Sequence, residues 1–220
     1  FDYCIFFGSL IPALLWGVTV GNLIQGTPID AHMNFVGGFF DLLSPYTILC
    51  GIAFILVFLY HGALYTCIKT VGAISERARA TALVEGVVTA VGALVLVGAT
   101  YVYTDLFKST LAAVAFAAAI ICFLISWGVT RVRRPGLGFV FSCLTVIFVT
   151  VAYFAGLFPR IMVSSLDPAW SLTVSNASSS TYTLTLMTVV ALVFVPIILI
   201  YQAWTYWTFR HRVSEEDLHY

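Results

Sequence analysis

The chain has 220 residues, 61% of them hydrophobic and 9% charged, and its formal net charge is zero. So few charged groups cannot cover a water-soluble globule of this size, which excludes that class and places the chain in a membrane. The balanced charge gives no electrostatic ground for nucleic-acid binding, and no nucleic acid is expected as a partner.

The first apolar run covers 3–23, enough to provide the roughly 20 residues that cross a hydrocarbon core of about 30 Å. It contains Pro12, which a membrane helix tolerates when neighbouring groups satisfy the freed carbonyl. Gly17 and Gly21 form a GxxxG within GVTVGN, a spacing that lets two backbones approach closely, and Asn22 beside them can hydrogen-bond across such a contact. These three are the candidate helix-packing residues. The connection that follows, 24–44, carries Asp30 and Asp41 and no basic cluster.

The second run, 45–67, contains His61, and the third, 81–103, contains Glu85. Ionisable groups inside spans are costly in lipid and are functional candidates for that reason. His61 precedes Lys69 by eight residues and Glu85 follows Arg79 by six, which puts them about 12 and 9 Å from the same connection on antiparallel neighbours. They are a candidate intramembrane polar pair, one that would bind a proton or a polar headgroup. The plainer alternative, two side chains solvated near the interface, stays open.

The fourth run is 111–129, the arginines of RVRRP follow it, and the fifth is 138–158. Next comes the long connection 159–182, with Asp167 and with Asn176-Ala-Ser178, a glycosylation sequon too short to carry weight. The last run, 187–200 with its flanks, contains Pro196 and passes into Trp204, Tyr206 and Trp207 before Arg210, His211 and Arg212. Aromatic rings at headgroup level followed by cations mark a membrane surface.

The fold class expected is therefore all-α, a polytopic bundle of six transmembrane helices, because an open sheet in lipid leaves backbone groups unpaired. Lys69, Arg77, Arg79, Arg131, Arg133, Arg134, Arg210 and Arg212 fall on one side of it, against Lys108 and Arg160 on the other. The majority side is cytoplasmic by the positive-inside tendency, with both the N-terminal end and the tail to Tyr220 inside.

Cys4, Cys50, Cys67, Cys122 and Cys143 form no CxxC and lie within or at the ends of spans, as small apolar residues do. The chain contains no GxxxxGK[ST], HExxH or GxGxxG motif, so no catalytic residue and no metal site is expected. A haem held by His61 and a methionine is disfavoured, since Met33, Met162 and Met187 fall toward the opposite side of the membrane.

Four stretches carry a resemblance: GSLIPALLWGVTVGNLIQGTP (8–28), KTVGAISERARATA (69–82), FSCLTVIFVTVAYFAGLFPRIMVSS (141–165) and the ending SSSTYTLTLMTVVALVFVPIILIYQAWTYWTFRHRVSEEDL (178–218). In this order the sequence resembles subunit II of the cytochrome bd-type quinol oxidases over almost its whole length. The resemblance implies a multi-pass protein of the bacterial plasma membrane, matching the last six of about nine helices, with the N-terminal part absent from 1–220. It also implies a homologous subunit I that carries haem b and haem d and oxidises quinol while dioxygen is reduced to water. This chain would then ligate no haem, with a structural quinone and small auxiliary subunits as further associations. The connection 104–110 is shorter than the hydrophilic loop of some relatives, and Glu85 matches no family motif. The competing class is a secondary transporter or small channel, which also uses intramembrane ionisable groups.

Overall fold

The computed structural model describes residues 1–214, so the acidic tail and Tyr220 lie outside the described residues. Six helices are long and apolar enough to cross a membrane: α1 (Asp2–Gln25), α2 (Pro45–Lys69), α3 (Gly72–Tyr103), α4 (Thr110–Arg131), α5 (Pro135–Leu157) and α6 (Thr181–Thr208). The only strands among the described residues are β1 (Arg160–Met162) and β2 (Leu172–Thr173), an antiparallel ribbon in the connection before α6.

Local chemistry sets the helix starts. Ser44, Ser109 and Ser180 each accept a hydrogen bond from the backbone N–H three residues on, at Thr47, Ala112 and Thr183, filling donors that a helix start leaves free. Pro45 and Pro135 occupy the first helical positions of α2 and α5, where the missing N–H costs nothing.

One boundary departs from the hydropathy reading. α3 begins at Gly72 instead of residue 81 and runs for 32 residues. Its first turns, GAISERARA, are polar but rich in helix formers, and Glu76 pairs with Arg79 one turn on at 3.1 Å. Gly72 itself has φ 68°, a conformation that costs glycine little and lets the chain reverse directly after α2.

α2 is the central element. α1 packs on it through a glycine seam: a Cβ on Gly17 would stand 2.7 Å from the Cys50 carbonyl oxygen and the Gly51 Cα, and one on Gly21 3.1 Å from the Thr47 Cα. Asn22, buried beside them, donates to the carbonyls of Val18 (2.9 Å) and Leu42 (2.8 Å), tying α1 to the chain that enters α2. On its other sides α2 meets α3 and α5, and α4 and α5 form the second tight hairpin.

At the end away from the basic turns, the two long connections are stitched together. Thr27 N–H donates to Val163 O (3.0 Å), Ser165 N–H to Thr27 O (2.9 Å), and Ser164 Oγ to Ile29 O (2.8 Å). The acids there cap turns: Asp30 accepts from the N–H groups of His32 and Asn34, Asp41 from Gly38, and Asp167 from Ala169. Asn176 is likewise held in a turn, accepting from Thr173 N–H and donating to Ser171 O.

α6 stands apart. None of its 28 residues is buried, and its attachment lies at the basic end, where Val213 N–H donates to Lys69 O (2.8 Å), Val71 N–H to Val213 O (3.3 Å), and Lys69 Nζ to Phe209 O. Arg210 covers the Trp207 ring at 4.8 Å, a cation–π contact of the kind that settles at an interface.

Candidate functional site

The polar chemistry inside the bundle radiates from the middle of α2. Consecutive helical residues are turned by about 100°, so Tyr60 and His61 face different neighbours. Tyr60, 1% exposed, places its hydroxyl 2.8 Å from Ser126 Oγ of α4 and its ring 5.1 Å from Phe123. Ser126 donates to Gly138 O (2.6 Å), and Thr130 donates back to Ser126 O (2.8 Å). Gly86 of α3 makes room for this cluster, since a Cβ there would collide with the Trp127 ring and stand 3.2 Å from the Tyr60 ring. Trp127 Nε1 donates to Leu83 O (3.1 Å), closing the contact between α4 and α3.

His61 turns toward α5. Its ring lies 4.5 Å from the Phe139 ring, and Nδ1 is 2.9 Å from Ser142 Oγ. Ser142 in turn donates to Phe139 O at 2.7 Å. The imidazole is thus held both by a tilted aromatic ring and by a hydroxyl.

The pair expected between His61 and Glu85 is not made in this structure. Glu85 is half-buried on α3, beside the stripe of Ala82, Gly86 and Thr89 that packs inward. Among the described residues no hydrogen bond or ion pair joins it to His61. The two share a depth, but His61 is directed at α5 and not at α3.

A second polar cluster sits at the opposite end. Asp105, in the turn between α3 and α4, lies 3.4 Å from Arg160 Nη1 on β1 and 3.7 Å from Lys108 Nζ. Arg160 also stands at the end of an apolar groove of about 560 Å³ between α1, α2 and α5, whose walls include Val20, Phe54, Val149 and Tyr153.

The family model for cytochrome bd terminal oxidase subunit II matches residues 1–209. The chain belongs to the cytochrome bd terminal oxidase subunit II family. It is 35% identical over 218 residues to the cytochrome bd ubiquinol oxidase subunit 2 of Bacillus subtilis, covering 98% of this chain and 64% of that protein. To the cytochrome bd-I ubiquinol oxidase subunit 2 of Escherichia coli K12 it is 34% identical over 253 aligned residues, covering 99% of this chain and 66% of the relative. The chain therefore spans less than two thirds of the length of each of these relatives.

A cytochrome bd family implies haem in the oxidase complex. Met33 and Met162 lie in the stitched connections, about 24 Å or more along α2 from the level of His61, and Met187 lies six residues inside α6 from that same end. A His–Met axial pair at one depth does not fit these positions. Among the described residues no group of three His, Cys, Asp or Glu side chains converges.

Ser142, Ser126 and Gly138 escaped the sequence reading. A serine in an apolar run has no spacing signature, and its partner here is 81 residues away. The one available signal was that a hydroxyl in lipid needs a partner.

Proposed function

We propose that this chain is subunit II of a bd-type quinol:dioxygen oxidoreductase of a bacterial respiratory chain. It lies in the plasma membrane with both ends of its described part on the cytoplasmic side. It supports a homologous subunit I that holds haem b and haem d, oxidises quinol and reduces dioxygen to water. The family match over residues 1–209 carries this reading. The relatives do not favour a transporter or channel.

The physical role follows from the surface. In α6 a long apolar helix has no buried residue within the chain, and the bundle presents Leu, Ile, Val and Phe outward along its other spans. Such faces suit lipid or another apolar helix surface, and covering a redox partner this way excludes water from its cofactors. Lys69, Arg131, Arg133, Arg134 and Arg210, gathered at one end, support the cytoplasmic assignment of that end. The structural quinone of the resemblance would be held by the apolar groove lined by Val20, Phe54, Val149 and Arg160.

The test is copurification. An affinity tag on this subunit, expressed from its native operon, should bring down a second polypeptide with the absorption of b- and d-type haems. Recovery of the tagged chain without haem or a partner would contradict the assignment.

A further inference from the structure

At the basic end, α3 and α4 meet in a way that concentrates positive charge. Trp127 Nε1 donates to Leu83 O, and one turn further toward that end α4 carries Arg131 and α3 carries Arg79. Arg131 lies over the Trp127 ring at 5.6 Å, which holds its guanidinium at the level where an interfacial indole meets the headgroups. Arg79 keeps only 18% of its side chain exposed, and its Nε (3.2 Å) and Nη2 (3.1 Å) both donate to one oxygen of Glu76. The other oxygen of Glu76 accepts from Arg133 Nη1 at 2.9 Å. Among the described residues no second carboxylate pairs with these arginines.

Three guanidinium groups therefore stand against one carboxylate, a local excess of positive charge beside a low-dielectric slab. The opposite end offers no counterpart, since Lys108 and Arg160 share Asp105 there and the connections carry Asp30, Asp41 and Asp167 besides. Planar guanidinium groups donate in pairs to phosphate oxygens, and basic clusters just outside the spans attract anionic lipid. Deeper along the same two helix stripes, Val87 of α3 and Leu124 and Ile120 of α4 are exposed. Cations at headgroup level with an apolar strip beneath them match the two halves of a phospholipid. We propose that Arg79, Arg131 and Arg133 bind the phosphate of an anionic phospholipid in the leaflet at this end, its acyl chain lying over Val87, Leu124 and Ile120. Glu76 positions Arg79 and Arg133 but competes with the phosphate for them.

The inference uses the oxidase complex only as the sample in which this chain is folded, and haem copurification tests the subunit assignment separately. Thermal midpoints of the delipidated complex are compared in neutral-detergent micelles doped with phosphatidylglycerol or, at the same mole fraction, with phosphatidylcholine. The wild type should gain about 2 to 4 °C from phosphatidylglycerol over phosphatidylcholine. Arg131→Gln should lose most of that gain. Arg77→Gln removes the same charge about 200° round α3 from Arg79 and should keep it. Glu76→Gln, which removes the competing carboxylate, should enlarge it. No gain in the wild type, a smaller gain in Glu76→Gln, or equal gains in Arg131→Gln and Arg77→Gln would overturn the proposal, the last by leaving only a diffuse positive flank or contacts within the protein. Inorganic phosphate that reproduces the gain would overturn it too, by showing a site for a soluble anion.

Discussion

Arg133, in the turn between α4 and α5, reaches Glu76 on the polar first turns of α3, with Nη1 2.9 Å from Oε1. The same carboxylate holds Arg79 at 3.1 Å, so one acid joins the two hairpins at the basic end. Both Arg133 and Glu76 are well exposed, at 70% and 55% of their side-chain surface, and exposed pairs contribute about 0–1 kcal/mol. Glu76→Gln should therefore lower the thermal midpoint of the complex only slightly, and the difference should shrink as salt is raised. A large, salt-independent loss would show that Glu76 does more than bridge.

The glycine seam should be far less forgiving. At Gly17 an added methyl meets backbone atoms of Cys50 and Gly51 at 2.7 Å, and backbone cannot swing away as a side-chain end can. Gly17→Ala should separate α1 from α2 and cost about 1–3 kcal/mol. Gly128→Ala, with nothing within 4 Å of its added Cβ, should be neutral or slightly stabilising. Thermal midpoints of the two variants check the contrast, and equal behaviour would contradict the packing described.

Tyr60 offers a graded test of the buried hydroxyl cluster. Tyr60→Phe keeps the ring against Phe123 and removes the bond to Ser126, while Ser126 still donates to Gly138 O. The expected loss is about 0.5–1.5 kcal/mol. Tyr60→Ala also empties a site that is 1% exposed and should cost about 3–5 kcal/mol. The ranking is read from unfolding of the complex in mixed micelles.

Orientation is checked by labelling. In a background lacking the native cysteines, Ala31→Cys, exposed in the connection after α1, should react with a membrane-impermeant maleimide on intact cells. Val132→Cys, 67% exposed at the basic end, should react only after permeabilisation. The opposite pattern would invert the proposed topology.

The spans were legible because a hydrocarbon core demands long uncharged runs, and residues 45–67 and 111–129 fall within two residues of α2 and α4 at each end. The start of α3 was hidden because residues 72–80 are helical beyond the apolar stretch, where hydropathy carries no information about helix. In the same way Thr181 and Tyr182 begin α6 within residues that read as connection. The depth of His61 could be read from its spacing to Lys69, but its direction could not. One residue's rotation, about 100°, decides whether α3 or α5 receives it, and the packing of four helices sets that angle. Cys4 is exposed, while Cys50, Cys67 and Cys122 are buried, a distinction that depends equally on which face meets a neighbour.

The most direct test of the whole account is quinol-driven oxygen uptake by membranes from cells whose other terminal oxidases are removed, with the gene for this subunit present or deleted. The account predicts that deletion abolishes uptake together with the d-type haem absorption, and that the plasmid-borne gene restores both. Uptake and haem absorption unchanged by deletion would contradict it.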